Sequence, residues 1–146
     1  MIVYTMGFAQ KNAAQFFELL KKNNVEIVID IRLNNKSQLA GFTKGQDLKY
    51  FLKAICNCEY KHCVEFAPTK EILDAYKKGV IDWLQYVAQF LPLMEKRHAP
   101  QLFKTMFGKY ERVCLLCSEP TPEQCHRRLL AEIIEGAIED VTIVHL

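Results

Sequence analysis

Cys117, Glu119, Cys125, His126, Arg127 and Arg128 bring two thiols, a carboxylate, an imidazole and two guanidiniums into one short segment. Upstream, Asp30 and Arg32 supply a second carboxylate and guanidinium. Such residues support three chemistries: metal ligation by thiolate and imidazole, attack by a cysteine nucleophile, and acid–base work between carboxylates. The spacing Cys114-x2-Cys117 followed by Cys125-His126 invites zinc. Residues three apart on a strand point to opposite faces, however, so both thiols reach one ion only if the strand breaks at Leu116. Cys114 reads instead as a buried apolar thiol, and no metal site is assigned.

The acid–base reading rests on Asp30, Arg32, Glu119 and Arg127, which could bind a polar substrate and move protons. The rival is closed ion pairs, Asp30–Arg127 or Glu119–Arg32, that only hold loops. Both stay open. Arg127 is expected to lean over a pocket shared by these four residues.

These groups depend on elements that set them at one edge. Val113 to Cys117 is an apolar run, the pattern of a strand buried on both faces. Thr121, Pro122 and Gln124 predict a helix N-terminus, with Thr121 as cap and Gln124 closing a capping box. Leu129, Leu130, Ile133 and Ile134 then mark the packed face, and Gly136 a stop. On that phase His126 falls mid-face, buried and bonded to a strand end, with Asp30 a candidate partner. Arg127 lies on the flank and Arg128 faces solvent.

Earlier in the chain, Ile2 to Thr5 predicts a first strand and Met6 to Ala9 a turn. A helix carrying Ala13, Phe16, Phe17 and Leu20 follows, with Asn12 or Gln10 before it. Glu26 to Arg32 is a second buried strand. This βαβ unit predicts parallel strands with a right-handed crossover. Asp30, Arg32, Gly7 and Cys117 then share one carboxyl edge, where open α/β proteins bind ligands. Residues 33–41 read as a loop. Thr43 to Gln46 predicts a second capping box, ahead of a helix with Leu48, Phe51, Leu52 and Ile55. Glu59 to Cys63 is a third strand. A helix at Lys70 to Lys78 and one capped by Asp82 follow, the latter expected to end or kink near Pro92. A short helical stretch then runs to Gly108, and Val141 to Leu146 is the last strand. The expected fold is α/β: a mainly parallel sheet of about five strands with helices on both faces. It is a Rossmann-like single domain over residues 1–146, with a helical insertion at about 64–108.

The chain has 146 residues, of which 50% are hydrophobic and 25% charged, with a net charge of +2. That suits one core and gives little pull toward nucleic acid by charge alone. No apolar run approaches the ~20 residues of a membrane span. The six cysteines show no disulfide framework and read as reduced thiols of a cytoplasmic protein.

A cysteine ending a strand, together with Asp-Ile-Arg, resembles sulfurtransferases of the rhodanese type and, more loosely, cysteine phosphatases. In those enzymes a cradle of backbone amides follows the cysteine. Here Pro120 and Pro122 remove two amide donors, and Glu119 would repel anions and raise the thiol pKa. Cys117 is therefore expected to show no unusual reactivity at neutral pH.

Thr5-Met6-Gly7, Asp30-Ile31-Arg32, Cys117-Ser118-Glu119, Cys125-His126-Arg127-Arg128 and Val144-His145-Leu146 together resemble the domain-of-unknown-function 488 family. The resemblance covers nearly the whole chain, and its most specific part is Cys-x-Glu followed by Cys-His-Arg. It implies an α/β fold with a site at these motifs, and carries no activity over. Family members commonly have His-Ser after the first glycine, where this chain has Phe8 and Ala9. Any chemistry of that histidine is then lost or altered here.

The polar edge and the helix that starts there point to an enzyme or sensor for a small anionic ligand, such as a nucleotide or phosphorylated metabolite. Asp30, Glu119 and Cys117 are the catalytic candidates. Gly7, Arg32, Cys125, His126 and Arg127 are the ligand-binding candidates. The alternative is a nucleic-acid-binding module without catalysis, suggested by mild basicity and by lysines near Tyr76 and Tyr110. A contiguous basic face across the Arg127 edge favours the alternative. Neither a cofactor nor an oligomeric state is assigned, and catalysis itself stays open.

Overall fold

Five parallel strands form one sheet in the computed structural model, which describes residues 1–36 and 40–146. They are β1 (Ile2–Gly7), β2 (Ile27–Asp30), β3 (Glu59–His62), β4 (Arg112–Cys117) and β5 (Thr142–His145), in the spatial order β3-β2-β4-β1-β5. The most apolar run of the chain is thus the central strand. β4 pairs with β1 from Ile2↔Arg112 to Gly7↔Cys117, and with β2 from Ile27↔Val113 to Asp30↔Leu116.

Side-chain alternation splits the core into two. Val3, Ile27, Ile29, Val113, Leu115 and Cys117 face one layer of helices, while Tyr4, Met6, Val28, Cys114 and Leu116 face the other. The second layer is α1 (Ala13–Lys22) and α2 (Gly45–Cys56), which bury Phe16, Phe17, Leu20, Leu48 and Leu52. The first layer holds α3 (Lys70–Lys77), α4 (Trp83–Lys96), α5 (Ala99–Phe107) and α6 (His126–Ala137). The segment expected as a helical insertion therefore supplies most of one face, through Ile72, Tyr86, Phe90, Met94, Phe103 and Phe107. Cys114 and Cys117 lie on opposite faces, as a period of two requires.

Local details depart from the expectations. β1 continues through Gly7 instead of turning at Met6. Asn12 caps α1 in a reciprocal capping box with Gln15. Thr43 does not cap α2: it sits in a 3-10 turn, Gly41–Thr43, and its hydroxyl donates to the Ala40 carbonyl at 2.8 Å. Asp82 caps α4 as expected, but the helix runs on through Pro92 to Lys96. Pro92 and Ala88, whose carbonyl loses its usual donor, are both exposed, so water can take the place of the missing bond. α6 starts at His126, later than the expected capping box, and passes Gly136 to end at Ala137. The loop expected over 33–41 falls partly outside the described residues, at 37–39. Among the described residues, no helix is long and apolar enough to cross a membrane.

Candidate functional site

Cys117 closes the central strand, opposite Gly7. Beyond it, the Cys117 and Ser118 carbonyls accept from Phe8 and Ala9, at 3.2 and 3.1 Å, so the loop stays pinned to the end of β1. The chain returns at Cys125, whose extended backbone opens α6 without a side-chain cap bond. This return sets the Cys125 sulfur 2.7 Å from that of Cys117. Each of the two cysteines is 2% exposed.

Arg127 holds this arrangement together and has no exposed surface. Its Nη1 donates to the Cys117 sulfur at 3.0 Å and to the Glu119 carbonyl at 2.7 Å. Its Nε donates to the Thr5 hydroxyl at 3.4 Å, and that hydroxyl lies 2.6 Å from His145 Nδ1. Nη2 has no partner. A Cβ on Gly7 would overlap the Glu119 carbonyl and approach Arg127 Nη1 to 2.9 Å. Gly7, expected as a ligand contact, is thus the position that lets the loop close onto β1.

Burial pushes the Cys117 thiol up, but the Cys125 thiol, the Arg127 guanidinium and the Glu119 backbone N–H outweigh it and hold the pKa below the usual thiol value. Cys125 goes the other way: its bond to Cys117, its burial and the Cys117 charge all raise it. Of the pair, Cys117 is thus the first to give up its proton, with Cys125 as the donor to it once it has done so. The expectation that Glu119 and burial would win or balance over the lowering effects on Cys117 is corrected in direction. The loop prolines do not strip the thiol of donors, because Glu119 N–H, Cys125 and Arg127 supply them.

Asp30 and Arg32 form a second network. Arg32 donates to both carboxylate oxygens, from Nε at 2.8 Å and Nη2 at 2.7 Å, and Nη2 also donates to the Thr43 carbonyl at 2.7 Å. The Tyr60 hydroxyl donates to Asp30 at 2.6 Å and accepts from Asn35 at 3.0 Å. His62 Nε2 donates to the Arg32 carbonyl at 2.6 Å. The ion pair at this edge is therefore Asp30–Arg32, in place of Asp30–Arg127 or Glu119–Arg32. Burial and the Asp30 charge push the Tyr60 hydroxyl up, so it remains a donor.

Between the two networks lies a cavity of about 340 Å³. Phe8, Arg32, Tyr76, Lys77, Tyr86, Cys117, Glu119, Cys125 and His126 are in its wall. The four-residue pocket expected from the sequence is met by Arg32 and Glu119 only. Asp30 alternates with Val28 onto the α1–α2 face of the sheet, and Arg127 lies beneath the thiols. The exposures expected at the start of α6 are also corrected. Arg127 is fully buried, while His126, only partly exposed, is bonded to a strand end as expected, its Nε2 donating at 2.8 Å to the carbonyl of Ile31, just past β2, in place of Asp30. Burial, with the nearby Arg127 charge, pushes His126 down to about 4, so the ring is neutral. Arg128 faces Glu132 at 3.7 Å, as the helix spacing predicts.

Thr5, Tyr60 and Phe8 escaped the sequence reading as members of the site. For Thr5 a signal exists: it lies two residues before Gly7 on a strand, on the face toward which α6 packs. Phe8 stacks under Arg32, with the guanidinium carbon 5.1 Å from the ring centroid.

The chain is thus a parallel α/β sheet whose central strand ends in a buried cysteine pair beside a cavity at the carboxyl edge. The family model for a domain of unknown function, DUF488, matches residues 12–134, and the chain belongs to that family. No curated protein and no solved structure matches it significantly. Phe8 lies in the cavity wall itself.

Proposed function

We propose that the chain binds a small anionic ligand, of the nucleotide or phosphorylated-metabolite class, in the cavity at the carboxyl edge, as an enzyme or sensor. One observation carries the reading. Arg32 is in the cavity wall, is 6% exposed, and among the described residues keeps Nη1 without a hydrogen-bond partner while Nε and Nη2 are fully used. A buried donor in this state favours an acceptor oxygen strongly. Lys77 on the rim adds a mobile positive charge. Tyr76, Tyr86 and Phe8 supply apolar and aromatic surface for the remainder of the ligand. The volume sits at the low end of the ~300–1,000 Å³ of small-molecule sites, which suits a ligand no larger than a mononucleotide.

The nucleic-acid alternative called for a basic face crossing the Arg127 edge. Arg127 has no exposed surface, and nothing favours that alternative over a small ligand.

Thermal shift and calorimetry with nucleoside mono- and diphosphates and sugar phosphates test the proposal. At least one is expected to raise the melting temperature in proportion to its concentration above Kd. Lys77→Ala should weaken that ligand and leave the unliganded melting temperature unchanged. A panel without a binder, or a binder indifferent to both Lys77→Ala and Arg32→Lys, rejects it.

A further inference from the structure

We propose that Cys117 and Cys125 form a two-cysteine redox site that reduces small hydroperoxides, with Cys117 as the attacking thiolate and Cys125 as the resolving thiol. The inference does not rest on the anionic-ligand reading. It rests on how the two sulfurs are held.

The sulfurs are 2.7 Å apart, against ~2.05 Å for a disulfide bond, so closing the bond asks for a movement of well under an ångström between them. They come from different elements, the end of β4 and the start of α6, and the loop between them is pinned at Ser118 and Glu119. Arg127 donates to the Cys117 sulfur at 3.0 Å from a fully buried position. Of the six cysteines, Cys117 is the one held below the usual thiol value; Cys58 and Cys63 are pushed up to about 12 by burial, and Cys56 and Cys114 are also raised.

The size of the reactant follows from access. Both cysteines line the cavity but are only 2% exposed. The narrow end of a hydroperoxide reaches such a sulfur, whereas a disulfide substrate must present a sulfur in line with its own S–S bond.

The chemistry balances in two steps. The Cys117 thiolate attacks the terminal oxygen of ROOH. The S–O bond forms as the O–O bond breaks, and RO⁻ takes a proton from solvent and leaves as ROH. Cys117 is now a sulfenic acid. The Cys125 sulfur then attacks the Cys117 sulfur. The S–S bond forms, the S–O bond breaks, and hydroxide leaves as water with the Cys125 proton. The two cysteines lose two electrons, and the peroxide is reduced to an alcohol and water. A low-molecular-weight thiol regenerates the pair, two molecules being oxidised to one disulfide.

The test uses the full reduced chain with one equivalent of hydrogen peroxide, read by intact mass and peptide mapping. The expected product has lost two hydrogens and carries one crosslink, Cys117–Cys125. Cys125→Ser should instead gain one oxygen, trapped by dimedone at Cys117. Cys117→Ser should leave Cys125 a thiol. Peroxide consumption by the reduced chain should exceed that of free cysteine at neutral pH, the direction expected of a thiol held below its usual value, and should be lost in Cys117→Ser. Oxidation beginning at the partly exposed Cys56, or Cys117 left unmodified, overturns the inference. So does over-oxidation of Cys117 without the crosslink. The peptide map of the unmodified chain decides the matter even if a cysteine variant fails to fold. A chain that crosslinks under peroxide but binds no phosphorylated ligand leaves this site standing and removes the ligand reading.

Discussion

Gly7 and Glu119 are in backbone contact: a methyl group on Gly7 would overlap the Glu119 carbonyl, the same oxygen that accepts from Arg127. Gly7→Ala therefore has to push the loop outward and break the Arg127–Glu119 bond. Alanine would restrict the unfolded chain and favour folding by ~0.4–1 kcal/mol, but the overlap costs about 1–3 kcal/mol and prevails. Urea denaturation should show a net loss of stability, with a midpoint shift and no large change in slope.

Arg127 and Arg128 are neighbours in sequence with opposite weights. Arg127→Ala removes the donor to Cys117, Glu119 and Thr5 and leaves a void in the packed layer, a loss expected at about 3–5 kcal/mol. The Arg128–Glu132 pair spans 3.7 Å between partly exposed side chains, and Arg128→Ala should cost under ~1 kcal/mol. Chemical denaturation of both variants and of His126→Ala should rank Arg127→Ala as the most destabilising. Equal losses for the two arginines would contradict the buried role of Arg127.

His126 makes the fold sensitive to acid. Its folded value is about 4, lowered by burial and by Arg127, against ~6.5 in the unfolded chain. As pH falls below ~6.5 the unfolded chain takes up a proton that the folded chain refuses, so stability declines, and the decline levels off below about 4. At ~1.4 kcal/mol per pKa unit, discounted for a partly exposed ring, the loss is about 1–3 kcal/mol. Denaturation midpoints at pH 7.5 and 4.5 should differ less in His126→Gln, which keeps a donor for the Ile31 carbonyl and does not titrate.

Asp30 carries the charge that lets Arg32 stay buried. Asp30→Asn leaves the guanidinium without its counter-ion, at a cost of about 3–5 kcal/mol. Tyr60→Phe removes only one of the donors to Asp30 and should cost about 1–3 kcal/mol. Thermal and urea unfolding of the two variants should keep that order. A neutral Asp30→Asn would show that Arg32 reaches solvent once released.

The fold was legible because its signals are periodic. Apolar runs at Val113–Cys117 and Ile27–Asp30, with helical spacing between them, leave few arrangements other than a parallel sheet. The shared edge of Cys117, Arg32 and Gly7 followed from strand direction alone. The start of α6 was not legible. Thr121, Pro122 and Gln124 satisfy the local rules for a helix start, yet the chain uses those residues as turn and begins the helix at His126. The tertiary contacts of Cys125 with Cys117, and of Arg127 with the loop, outweigh one local cap. That delay moves Arg127 inward and His126 toward the cavity. Thr43 misled in the same way, since its hydroxyl found the Ala40 carbonyl before it could cap α2. The Cys117 environment was misjudged because the Glu119 carboxylate was weighed and its backbone was not.

The pairing of β1 has a consequence for how the chain is made. β1 is made well before its two partners in the sheet, β4 and β5. Until Arg112–Cys117 has been synthesised, β1 has no neighbouring strand, although the helices that cover its apolar residues Val3, Tyr4 and Met6 are largely made. At ~5–20 residues per second, that wait lasts several seconds or more. The same non-local pairing gives folding a large loop-closure cost before the central strand docks. The arrangement that brings Gly7 beside Cys117 is therefore a late one, and the thiol pair can form only once β4 has docked beside β1.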